Sequence, residues 1–232
     1  VRRSCDATGT ARAGIGAGAD PAVVDAVAVA ADDCGFATLW VGEHVVMVDR
    51  PASRYPYSRD GVIAVPAQAD WLDPMIALSF AAAASSRVDV ATGVLLLPED
   101  NPVIVAKEAA SLDRLSGRRL TLGVASDGPG GVRRARSAIR AARRAHRRIR
   151  RCNAHIMARR RRIVRRQQSG RERGELRLAV ALANPQVGDV DVLAELGVDE
   201  LVLVEVPPDN PNVVAGWVSA LADKWMFASS GG

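Results

Sequence analysis

DPAVVDAVAVAADDCGFATLWV, residues 20–41, is the stretch that decides the fold. Asp20–Pro21 reads as a helix start. The aspartate oxygen can accept from the free N–H groups of the first turn, and proline at the first helical position forfeits no bond. Gly35 after Cys34 is a C-terminal glycine, and Ala37–Thr38–Leu39–Trp40–Val41 is a short β-favouring run. Cap, helix, glycine and strand form the repeating phrase of a βαβ chain. Working outward, the phrase recurs. Asp73–Pro74, Asn101–Pro102 and Asn210–Pro211 open further helices, and Gly117 and Gly197 close two. Apolar runs at 88–97, 120–124, 176–182 and 201–206 supply further strands. Their near-continuous apolar character suits a parallel sheet covered on both faces. Five strands are legible in all, and residues 1–18 offer no convincing one.

Composition bounds the rest. A chain of 232 residues with 48% hydrophobic content makes one large domain or two small ones and is not mostly disordered. Twenty glycines and 12 prolines exclude a fibrous repeat. No apolar run approaches the roughly 20 residues that span a bilayer, and the two early arginines are followed by no signal-like apolar region. Cys5, Cys34 and Cys152 are odd in number, widely spaced and without a CxxC, which argues against a disulfide framework and against a metal site. The expectation is a soluble, cytoplasmic protein with no membrane partner.

The net charge of +5 averages two unlike parts. Residues 133–173 hold 18 arginines, no lysine and one acid, Glu172, which leaves 13 basic and 25 acidic residues elsewhere, a net of −12. Residues 42–72 form a long irregular excursion after a strand, holding Arg50–Pro51, Tyr55–Pro56–Tyr57 and Val65–Pro66. Such insertions are where α/β folds place ligand contacts, and a covering loop without chemistry is the other reading.

Four stretches together carry a family resemblance: Cys34–Gly35–Phe36–Ala37–Thr38–Leu39–Trp40–Val41–Gly42–Glu43–His44; Ser53–Arg54–Tyr55–Pro56–Tyr57–Ser58; Ala91–Thr92–Gly93–Val94–Leu95–Leu96–Leu97–Pro98 with Asn101–Pro102, Lys107 and residues 112–120; and residues 193–205 with 217–225. In them the chain resembles the luciferase-like flavin and deazaflavin oxidoreductases, which are (β/α)8 TIM barrels. The second stretch is similar to a subgroup that uses coenzyme F420.

The resemblance implies a cofactor ring, F420 or alternatively FMN, lying at the C-terminal mouth of the barrel. There the ring carries hydride or oxygen chemistry on a small organic substrate, and the protein supplies binding and orientation. It implies that Thr92, Gly93 and Val94 back the ring, with a non-proline cis peptide at Gly93–Val94. Glycine there would let backbone approach a flat ring closely, with the space before it left open. It places His44 at the mouth as a candidate catalytic proton donor, with Glu43 beside it either orienting the imidazole or staying solvated. Trp40 is read as core packing.

The family pattern breaks in one region. A complete barrel typically needs about 250 residues, and strands five and six should fall where the arginines lie. The expected architecture is a single domain over residues 1–232, family-like at 20–125 and 175–225, with an aberrant Arg-rich segment at 128–173. It is an incomplete (β/α)8 barrel with a helical or disordered insert. One reading of the insert is a basic helix for nucleic-acid phosphate, without the interleaved aromatics of base stacking. The other is a shifted reading frame across residues 146–163, in which Met157–Ala158 necessarily becomes Trp. The expected function is an F420- or FMN-dependent oxidoreductase of the monooxygenase type. The alternative is a non-catalytic remnant or interaction protein whose arginines bind nucleic acid or an acidic partner. Unpaired strand edges would favour a homo-oligomer.

Overall fold

The computed structural model describes residues 7–11, 13–47, 49, 60–63, 65–97, 99–124, 179–182 and 184–227. The Arg-rich segment at 128–173, the frame-shift stretch within it and residues 53–58 lie outside the described residues.

Six strands are present: β1 (Ala7–Ala11), β2 (Thr38–Val41), β3 (Asp89–Leu95), β4 (Leu120–Val124), β5 (Ala179–Ala181) and β6 (Glu200–Val204). Five α-helices accompany them: α1 (Pro21–Cys34), α2 (Pro74–Ala84), α3 (Pro102–Leu115), α4 (Asp189–Glu195) and α5 (Pro211–Ala222). All pairings are parallel, and the sheet order is β4-β3-β2-β1-β6-β5. Strands follow chain order around the sheet, and β1 lies directly against β6. That is the closing pair of a (β/α)8 barrel. Residues 125–178 separate β4 from β5 in the chain, so the described arc is an incomplete barrel, as the sequence implied.

One expectation is corrected. Among the described residues there are six strands, because Ala7–Ala11 forms β1, paired to β2 on one edge and to β6 on the other. Its sequence, ATGTA, has no large apolar residue, so hydrophobic pattern could not flag it. A central strand is specified instead by two neighbours that satisfy its backbone groups.

The caps behave as the sequence dictates. Asp20 accepts from the N–H groups of Ala22 (2.8 Å) and Val23 (3.3 Å), Asp73 from Ile76 (3.0 Å), Asn101 from Val103 (3.0 Å) and Asn210 from Asn212 (3.0 Å). Outside the sheet, Leu39, Leu201 and Leu203 pack with Val23 and Val27 of α1 and Val214 and Val218 of α5. Val90, Leu95, Leu120 and Leu122 pack with Leu78 of α2 and Val105 and Leu112 of α3. The opposite face gathers Trp40, Ala91, Ala179 and Val202, so the barrel interior is small apart from one indole.

The end of the barrel away from the mouth is held by two side chains that sequence reading passed over. Helix α2 ends at Ser85 without a glycine, and the Arg119 guanidinium donates to the carbonyls of Ala82 (2.8 Å), Ser85 (2.9 Å) and Val88 (2.6 Å). Asp32, at the end of α1, accepts from the N–H groups of Ser86 (3.1 Å), Arg87 (2.7 Å) and Val88 (2.6 Å) and from the Ser86 hydroxyl (3.0 Å). Burial pushes the Asp32 carboxyl up, but these donors together outweigh it and hold the group at about 2. The folded value is depressed, so the stability it gives is present above the ordinary carboxylate range and lost as pH falls toward 2. Asp32→Asn turns an amide donor toward backbone donors. It should cost about 2 kcal/mol at pH 7 in urea denaturation, with the gap to wild type narrowing as pH falls through the ordinary carboxylate range toward 2. A gap that stays constant with pH would show that the charge is not what matters.

Candidate functional site

Parallel pairing puts the loops after β2 and β3 at one end of the sheet. Trp40 stands opposite Ala91 and Val41 opposite Thr92, so Gly42–Glu43–His44 and Gly93–Val94 leave their strands side by side. A Cβ built on Gly42 would lie 3.6 Å from the Gly93 carbonyl oxygen, which shows how closely the two backbones run. The Gly93–Val94 peptide is cis, where the resemblance expects one, and the β3–β4 register shifts between Thr92 and Leu95.

The three residues expected against a ring divide into two roles. Thr92 is fully buried and donates its hydroxyl to the Gly123 carbonyl at 2.7 Å, tying β4 to β3. Gly93 is exposed and Val94 half-buried, so these two border the mouth. What lies around Gly93 differs from expectation. A Cβ there would come 3.0 Å from Cε3 of Trp40, so a side chain at this position meets the indole and not open space.

Trp40 is buried, as expected, but it also makes a polar link. Its Nε1 donates to Oε1 of Glu200 at 2.7 Å, and Glu200 is only 1% exposed. Sequence reading missed Glu200 because Asp199–Glu200 looks like a polar turn before an apolar strand. The available signal was the alternation Glu200, Val202 on one face of a strand buried on both faces.

Glu43 and His44 face different neighbours. Glu43 is half-buried, and its Oε2 accepts from the N–H of Leu96 in the loop after β3. Burial is the main reason its carboxyl is raised to about 7. The Leu96 N–H pulls the other way, and Asp100, Asp73 and Glu99 push it further up. The His44 ring packs edge-on against Trp71, with centroids 4.7 Å apart and planes at 78°. Trp71 also donates Nε1 to the Gly42 carbonyl at 3.2 Å. Its segment is zipped to the loop after β1 through Gly16 N–H to Asp70 O (2.8 Å) and Leu72 N–H to Gly14 O (2.9 Å). Sequence reading placed Trp71 only within the 42–72 excursion, and nothing in one sequence marks it as the residue that fixes the His44 loop.

The arrangement therefore offers an exposed stretch of strand-end backbone, an indole beneath it, a carboxyl that exchanges its proton near neutrality and an imidazole held by an aromatic edge. Asp73, which caps α2, and Glu99 and Asp100, just before α3, lie close enough to raise Glu43, so an anion beside it is disfavoured. Because the Glu43 value is raised in the fold, its ionisation costs stability as pH climbs from the ordinary carboxylate range through about 7. In thermal melts, Glu43→Gln should gain on wild type between pH 5 and pH 8. Parallel melting curves across that interval would contradict the environment described.

The family described as luciferase-like monooxygenase matches residues 6–158, which includes β1 and runs into the Arg-rich segment. An uncharacterized protein of Mycobacterium tuberculosis is 36% identical over 99 residues, 43% of this chain and 35% of that protein. The 4-hydroxyprotoasukamycin monooxygenase of Streptomyces nodosus subsp. asukaensis is 33% identical over 96 residues, 40% of this chain and 20% of that enzyme. The matches thus span about a third or less of these curated relatives. Among solved structures, an F420-dependent secondary alcohol dehydrogenase in complex with an F420-acetone adduct aligns with 96% of this chain and 65% of its own, at 16% identity and a TM-score of 0.44. Among the described residues no helix is long and apolar enough to cross a membrane. With two-thirds of its residues matched, and first and last described strands paired as a barrel requires, the chain belongs to the luciferase-like monooxygenase family.

Proposed function

We propose that the mouth formed by β2 and β3 binds the ring of coenzyme F420, with FMN as the alternative, and serves an oxidoreductase acting on a small organic substrate. The observation that carries this reading is the exposed Gly93–Val94 backbone, resting on the Trp40 indole beside Glu43 and His44. When bound, such a ring supplies hydride or oxygen chemistry. The chain's own residues have the complementary work. Gly93 and Val94 supply the exposed strand-end backbone for the ring, and Thr92 holds that backbone by its bond to Gly123. A substrate oxygen that receives a hydride at its carbon needs a proton. His44 is the proposed proton donor, or a hydrogen-bond donor to the ring or substrate, and Glu43, titrating at about 7, can hold a proton beside it at neutral pH.

Titrating F420 and FMN separately into the purified chain, followed by cofactor fluorescence, tests the reading. Saturable binding of one ring is the expected result. His44→Ala should then spare binding and lower turnover by roughly 10²–10⁴-fold, while Glu43→Gln should remove a pH inflection near 7 from the rate. Binding of neither ring would overturn the proposal. Salt-sensitive binding of DNA by the same preparation would then favour an interaction protein.

A further inference from the structure

Among the described residues, Glu200 is a buried ionisable group that the reading above does not use. Glu200 sits inside the barrel arc at 1% exposure, where an acid is costly unless its oxygens are hydrogen-bonded. Trp40 meets part of that need through its single polar atom, the Nε1–H, at 2.7 Å. The two residues stand on strands that are not neighbours, because β1 lies between β2 and β6. The link is sterically open since the register places Gly9 of β1 between Thr38 and Val202, and a glycine puts no side chain in the interior there. The far edge of the same indole lies under the mouth, with Cε3 3.0 Å and Cβ 3.5 Å from where a Gly93 Cβ would be. One rigid ring thus reaches from the Glu200 carboxyl to the Gly93 backbone. Turning the indole about its side-chain torsions would break the bond at one end and crowd or undercut Gly93–Val94 at the other.

We infer that Glu200 is a positioning residue: through its hydrogen bond to the Trp40 indole it sets, from two strands along the sheet, the shape of the Gly93–Val94 surface on which a planar cofactor ring rests. The ring-binding consequence rests on the function proposed above, whereas the mechanical link from Glu200 to Gly93 does not. Glu200 touches no reacting atom in this scheme and reaches the Gly93–Val94 surface through Trp40. Trp40 can donate but not accept, so an acceptor at position 200 is what the link requires, and its charge is secondary.

The test uses the whole chain, labelled with ¹⁵N, in four variants: Glu200→Leu, close in volume and without an acceptor; Glu200→Gln, which keeps one; Trp40→Phe; and Trp40→Phe with Glu200→Leu. Amide resonances of Gly93 and Val94 and the Trp40 indole N–H are read without cofactor, and F420 and FMN are titrated afterwards. In Glu200→Leu the indole N–H should lose its protection from exchange, the Gly93 and Val94 resonances should shift, and the ring that wild type binds should bind about tenfold more weakly, the worth of one hydrogen bond to a charged group. Glu200→Gln should restore all three. In the Trp40→Phe background, Glu200→Leu should add no further loss. Unmoved Gly93 and Val94 resonances in folded Glu200→Leu would overturn the inference, as would an equal loss of binding in the Trp40→Phe background. Should Glu200→Leu fail to fold, Trp40→Phe decides: it must shift the same two resonances, and unchanged resonances again overturn the link. If wild type binds neither ring, the cofactor reading fails and the resonances alone decide the positioning role.

Discussion

Five residue pairs, from Ala7 with Glu200 to Ala11 with Val204, join the first described strand to the last across nearly the whole chain. Through that pairing, two pieces of sheet, β1–β4 and β5–β6, become one curved arc with a shared interior. The pairing is also what brings Glu200 within reach of Trp40, with β1 as the narrow spacer between them. A long-range parallel contact of this kind must overcome a large loop-closure entropy before any of its bonds form. The chain compensates with local devices that need no long-range partner. Four Asx–Pro starts and three C-terminal glycines at positive φ fix the helices, so only their docking remains to be specified.

Two carboxylates show how the ends of the arc are put to different use. Asp32, at the closed end, receives four hydrogen bonds and is held at about 2, a charge kept ionised to knit α1 to the turn before β3. Glu43, at the mouth, is half-buried among three other acids with one backbone donor and is raised to about 7. The same functional group is a structural anchor in one place and a proton-exchanging group in the other. The difference lies in how many N–H groups point at each and in the sign of the neighbouring charges. Raising Glu43 costs stability as the group ionises.

Legibility in the sequence followed the range of each interaction. Caps, glycines and the strand at Leu120–Val124 were readable because each is specified by its own neighbours. The β1 strand was not, because ATGTA is a strand only by virtue of β2 and β6 on its two edges. Within the site, Gly93–Val94 and Glu43–His44 were found through the resemblance, and the structure does place them at adjoining strand ends. What they touch was not readable. Glu43 turns to Leu96, His44 to Trp71, and Gly93 lies over Trp40. Trp71, distant in sequence from the residue it holds, carries no local mark, and Glu200 carries only its alternation with Val202 along β6.

The central claim is that a planar ring rests on the Gly93–Val94 backbone between the two loops. Hydrogen–deuterium exchange of the chain, with and without saturating F420 or FMN, tests it most directly. The account predicts slowed exchange concentrated at the backbone amides of Gly42, Glu43, His44, Val94 and Leu96, with the turn at Ser86–Val88 unchanged. Slowing confined to other parts of the barrel, with these five amides unaffected by a ring that binds, would contradict it.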